Sequence, residues 1–123
     1  MTALAEASLT LKERRALDRL VSELQNEFGV RLRSVWLYGS RARGERTRPE
    51  SDIDLIVVLD RRSMEEDRRV LETVGRVADQ AGVSRVLLST LVYDVDRIAQ
   101  RPEIESFFIQ EVDRDKIVLY GEP

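Results

Sequence analysis

Histidine and cysteine are both absent from the 123-residue sequence. Without them the chain can build no ordinary zinc site and no thiolate or imidazole catalyst, so Ser-His-Asp and Cys-His chemistry is excluded. Any metal must rest on oxygen ligands, which select hard cations such as Mg²⁺, Mn²⁺ or Ca²⁺. The lack of cysteine also rules out disulfides. No apolar run is long enough to span a membrane, and the N-terminal stretch MTALAEASLTLKERR has no apolar signal core, so the chain reads as soluble and cytoplasmic. Positive charge is not in excess either. Lys and Arg number 20 against 23 Asp and Glu, so bulk electrostatics do not favour a nucleic-acid partner.

Repeats, low-complexity tracts and long linkers are missing too, so residues 1–123 are expected to form one domain, with 1–9 loose. At 42% hydrophobic residues, the chain has enough apolar surface for one core. Leu11, Leu17, Leu20, Val21, Leu24 and Phe28 recur at helical spacing behind a Thr10–Glu13 capping box, and Gly29 ends that helix. Residues 31–38 read as a strand. Residues 39–49 turn polar and predict a loop or short helix. The run 52–59, DIDLIVVL, has an acidic head and an apolar body, the pattern of a central strand covered on both faces.

Ser63 and Glu66 cap a second helix whose Val70, Leu71, Val74, Val77 and Ala78 share one face up to Gly82. Residues 83–90 read as a third strand. A turn and short helix follow over 93–99, then a helix from Pro102 to about Arg114 and a terminal strand over 117–120. Interleaved helices and strands predict an α/β (α+β) layer fold, helices packed on a mixed sheet. Trp36 and Tyr38 are expected in the core, and Phe107 and Phe108 are expected to anchor the last helix, adjacent aromatics being able to leave one exposed for a partner. Arg61, Arg62, Arg68 and Arg69 read as a solvated helix start.

Chemistry concentrates in VWLYGSRARGERTRPESDIDLIVVL. On a strand, residues i and i+2 share a face about 6.5 to 7 Å apart, so Asp52 and Asp54 converge. That spacing suits divalent cations, which in pairs about 3.5 to 4 Å apart clamp the attacking and leaving oxygens of a phosphoryl displacement. Ion pairing with Arg41, Arg43, Arg46 or Arg48 is the structural alternative. Gly39 favours the functional one, because glycine lets backbone approach a phosphate and free N–H groups at a helix start bind anions; Ser40 adds a hydroxyl. The Gly39-to-Gly44 spacing is not a Walker A loop, since Glu45 and Arg46 stand where that motif needs Lys and Ser or Thr.

Tyr38-Gly39-Ser40 followed by Asp52-Ile53-Asp54-Leu55 resembles the signature of the DNA polymerase beta-like nucleotidyltransferase superfamily. The extended form GSRARG...SDIDL looks like its minimal nucleotidyltransferase branch, small proteins paired with HEPN-domain toxins. The resemblance implies a polymerase beta palm-like fold and transfer of a nucleotidyl group from an NTP, ATP first, to a hydroxyl of a HEPN-type partner. It implies Mg²⁺ (or Mn²⁺) on the catalytic Asp52 and Asp54, with the nucleotide held by Gly39, Ser40, Arg41, Arg43 and Ser51. Active members of the superfamily carry a third carboxylate on a later strand. Here the predicted strand 83–90 has no acid, Ser84 or Val86 takes that place, and Asp94 or Asp96 would have to reach back. Asp60 lies too far along its strand from Asp54. A rival reading therefore stands beside the enzyme: a degenerate fold acting as an antitoxin by contact alone. A weaker third is transfer to RNA or a small molecule.

Overall fold

The computed structural model describes residues 7–45, 51–100 and 107–123. Helix α1 (Leu11–Phe28) opens on the expected box, Thr10 accepting from the Glu13 N–H and Glu13 accepting from the Thr10 N–H at 2.8 Å. A 3-10 turn leads into β1 (Leu32–Tyr38), then α2 (Gly39–Ala42), β2 (Ile53–Leu59), α3 (Met64–Ala81), a second 3-10 turn (Arg85–Leu87), β3 (Leu88–Asp94), α4 (Val95–Ala99), α5 (Phe107–Asp115) and β4 (Ile117–Gly121). The four strands form one mixed sheet in the order β3-β2-β1-β4. β1 runs antiparallel to β2 and β4, and β2 runs parallel to β3. The fold class is α+β, as the alternation of elements predicts.

Strand alternation divides the core in two. Val35, Leu37, Ile53, Leu55, Val57 and Leu59 meet Leu17, Leu20 and Leu24 of α1 and Val70, Val74 and Val77 of α3. Trp36, Tyr38, Ile56 and Val58 face the other way, against Val112 of α5 and Val95 and Ile98 of α4. β2 is thus central and covered on both sides. Burying each such large aliphatic side chain stabilises the fold by about 1.5 to 3 kcal/mol.

Several expectations need correction. The third strand begins at Leu88, not Val83, and runs on to Asp94. Val86 is 80% exposed, and Arg85 leaves the sheet to pair with Asp79. An apolar-looking segment is therefore a turn, because its partners are helix-end groups rather than a neighbouring strand. Leu71 is 53% exposed, off the buried face of α3. Ser63 caps α3 by accepting from the Glu65 N–H, but its hydroxyl donates to the Glu66 carboxylate, so the reciprocal box is not made. Arg69 reaches Glu27 on α1 at 2.9 Å and lies over the Phe28 ring, tying α3 to α1 rather than facing solvent. Phe108 packs edge-on against Tyr38, whereas Phe107 is 85% exposed. Of the segment 1–9, Ala7 is buried, Leu9 packs on the core and the Ser8 N–H donates to the Arg41 carbonyl at 2.8 Å. Pro102, Arg46 and Arg48 lie outside the described residues. No helix among those described is long and apolar enough to cross a membrane.

Candidate active site

β1 ends at Tyr38, which is hydrogen-bonded in register beside Asp54, the second residue of β2. Asp54 shares the sheet face of Tyr38 and Ile56, while Ile53 points into the α1/α3 core. Gly39 then turns the chain with φ +78°, a left-handed conformation that glycine adopts without strain. A Cβ on Gly39 would lie 3.3 Å from the Asp54 Cγ and overlap its Oδ2. The Asp54 carboxylate therefore rests on the bare face of the glycine turn. Gly39 and Ser40 open α2, whose start no side chain caps.

Charge accumulates at this corner. Asp54 is half-buried and Asp52, just ahead of the strand, is exposed. Burial pushes the Asp54 carboxyl above the usual aspartate range, the Asp52 charge adds to the rise, and Arg43 opposes it. Burial, then the negative charge of Asp54, then Tyr93 raise the Tyr38 phenol to about 12, so it stays protonated. Arg43 itself is held by Glu45 at 2.6 Å and by Asp115 at the end of α5 at 3.3 Å.

The expected nucleotide ligands part company here. Gly39, Ser40 and Arg43 belong to the corner that Asp54 faces. Arg41 does not: its guanidinium is buried, paired with Glu13 at 2.8 Å, and donates to the Ser8 carbonyl, the Ser51 hydroxyl and the Ser51 carbonyl. Burial pushes the Glu13 carboxyl up, but hydrogen bonds from Arg41 and Thr10 and the Arg41 charge bring it below the usual range. Arg41 and Ser51 thus staple the start of β2 to α2 and α1. Glu13 is the sequence signal for this staple: its carboxylate serves both the Thr10 N–H of the capping box and the Arg41 guanidinium.

β3 supplies the group that sequence reasoning missed. Parallel pairing sets Ile53 beside Leu88 and Asp54 beside Ser89. Asp94 lies beside Leu59 at the far end of β2, where it caps α4 by accepting from the Arg97 N–H at 2.8 Å, and Asp96 sits in the first turn of that helix. Five residues of strand, about 16 Å, separate that end from Asp54. Among the described residues, no group of three or more metal-ligating side chains converges.

The Asp54 carboxylate, raised by burial and by the charge of Asp52, offers only oxygens beside a turn with no Cβ to block approach, which fits a hard cation carrying a phosphate. Two other grooves, about 400 Å³ against α1 and β4 and about 450 Å³ beside Lys12, Arg15 and Arg19, present no paired acids. Fold and corner together define an α+β domain suited to phosphoryl-group chemistry at the Asp54 end of its sheet. Residues 17–120 match the family model of the nucleotidyltransferase domain, and the chain belongs to that family.

None of the curated proteins matches the sequence. Solved structures do. A mutant MntA–HpeT toxin–antitoxin structure is 18% identical, covers 86% of this chain and 73% of that one, and superposes with a TM-score of 0.52. A tri-AMPylated Shewanella oneidensis HEPN toxin in complex with MNT antitoxin gives 16% identity, 89% and 72% coverage and a TM-score of 0.51. A toxin–antitoxin with AMP-PNP gives 20%, 85% and 73%, and 0.52. At these identities the likeness is one of fold.

Proposed function

We propose that this chain transfers a nucleotidyl group from an NTP, ATP first, to a hydroxyl of a HEPN-domain partner, and so acts as the antitoxin of a cytoplasmic pair. The observation that carries the reading is the Asp54 carboxylate lying on the Gly39 turn, which brings an acidic oxygen donor and phosphate-accessible backbone to one corner. The family match supports nucleotidyl transfer. The HEPN complexes among the structural neighbours support the partner, and the neighbour with AMP-PNP supports an adenine nucleotide.

In this mechanism the Gly39 and Ser40 N–H groups and the Ser40 hydroxyl donate to the polyphosphate. Arg43, on the rim, offsets charge that grows on the leaving oxygens. Arg41 and Ser51 act at one remove, holding the strand that carries the acids. Asp52 and Asp54 would hold Mg²⁺ or Mn²⁺, which supplies phosphate charge neutralisation and in-line alignment. The acceptor oxygen bonds to the α-phosphorus, the bond to the β-phosphate oxygen breaks, pyrophosphate leaves and the hydroxyl proton passes to solvent. No covalent enzyme intermediate is needed.

The test is transfer of label from [α-³²P]ATP, with Mg²⁺, to a HEPN-domain protein that co-purifies with this chain. Wild type should label it, and Asp52→Asn and Asp54→Asn should not. Silent wild type would refute the reading. A second reading, an antitoxin that works by contact alone, is favoured by the neutral Ser89 beside Asp54. If it holds, both Asn variants still neutralise the toxin.

A further inference from the structure

Ser89 is half-buried on β3, in parallel register with Asp54. Ile53 and Leu88, the pair before them, both point into the α1/α3 core. Alternation then puts Asp54 and Ser89 together on the opposite face, on strands about 4.8 Å apart. Ser89 is thus the β3 side chain that flanks Asp54. Magnesium on a nucleotide is commonly held by one or two carboxylates plus phosphate oxygens, which Asp52 and Asp54 satisfy. A second ion about 3.5 to 4 Å from the first brings strong mutual repulsion, which further anionic oxygens must offset. A serine hydroxyl brings an oxygen but no charge.

We propose that Ser89 sets the metal capacity of this site: with a neutral hydroxyl flanking Asp54, the nucleotide-bound chain holds one divalent cation, and an aspartate at this position makes room for a second. The inference rests on the nucleotide-metal reading above and adds to it a residue that decides stoichiometry.

Mn²⁺ is the probe. Free Mn²⁺ is counted by electron paramagnetic resonance as it is titrated into the full chain saturated with α,β-methylene-ATP, which cannot be cleaved at the reacting bond. Wild type and Ser89→Ala are expected to take up one ion per chain. Ser89→Asp is expected to take up two, the second at least tenfold more tightly than any further ion on wild type. Two ions on wild type would overturn the proposal, as would a folded Ser89→Asp that binds nucleotide but still holds one. Should Ser89→Asp fail to fold, Ser89→Ala still decides, since fewer ions than wild type would make the hydroxyl a ligand in its own right and overturn the assignment. Wild type that binds neither nucleotide nor Mn²⁺ would instead refute the nucleotidyl-transfer reading.

Discussion

Replacing Gly39 by alanine tests the geometry on which the site depends. Two costs arise from one methyl. The backbone at φ +78° is left-handed, where a Cβ costs about 1 to 2 kcal/mol. The methyl would also overlap the Asp54 Oδ2 and lie 3.3 Å from its Cγ, and such overpacking typically costs about 1 to 3 kcal/mol. Because Asp54 is half-exposed and can swing outward, the lower end applies, and Gly39→Ala should destabilise the fold by about 2 to 3 kcal/mol, a fall in Tm of roughly 10 °C for a domain this size. The two costs separate in a double-mutant cycle. With Asp54→Ala the overlap goes and the backbone strain stays, so Gly39→Ala in that background should cost only about 1 to 2 kcal/mol. Urea denaturation of the four proteins, at constant m, gives the coupling. A coupling below about 0.5 kcal/mol would mean that carboxylate and turn do not touch, and the phosphate corner would not exist as described.

Two further outcomes follow from the charges. The raised Asp54 carboxyl binds protons in the folded chain that the unfolded chain has lost, so the Asp54 contribution to stability should fall as pH rises from about 3.9 through the folded value. Asp54→Asn should remove that slope and be the more stable protein at pH 7, checked by urea unfolding at pH 3.5 and 7; an unchanged slope would refute the burial argument. Arg41→Met leaves the Glu13 carboxylate buried without its cation, at about 3 to 5 kcal/mol. Since Glu13 lies below its usual range, the pair's contribution is present above about pH 4.3 and lost as pH falls through the folded value, so the variant's deficit should shrink in acid; a deficit that does not change with pH would refute the pairing.

What could be read beforehand divides along a physical line. Both long helices were legible because their signals are local: Thr10 with Glu13, Ser63 with its cap, and apolar residues at helical spacing around Leu17, Leu20, Val70 and Val74. β2 was legible because a strand covered on both faces must be apolar throughout. The meeting of Asp54 with the Gly39 turn was legible because each stands at an end of an apolar strand, and antiparallel pairing brings those ends together. β3 was not, because a parallel strand's register is set by a partner distant in sequence. Within VSRVLLSTLVYD the apolar residues permit several frames, and only pairing with β2, which buries Leu88 and Val92 and turns Val86 out, selects one. That choice carries chemical weight. In the frame read from sequence, Ser84 or Val86 stood beside the acids, and Asp94 remained a candidate to reach back. In the observed frame Asp94 is fixed at the far end by the helix it caps, and a hydroxyl, Ser89, stands beside Asp54. A shift of some five residues along one strand thus turns an open question about a missing ligand into a statement about a particular side chain. The ion count with aspartate at position 89 measures it directly.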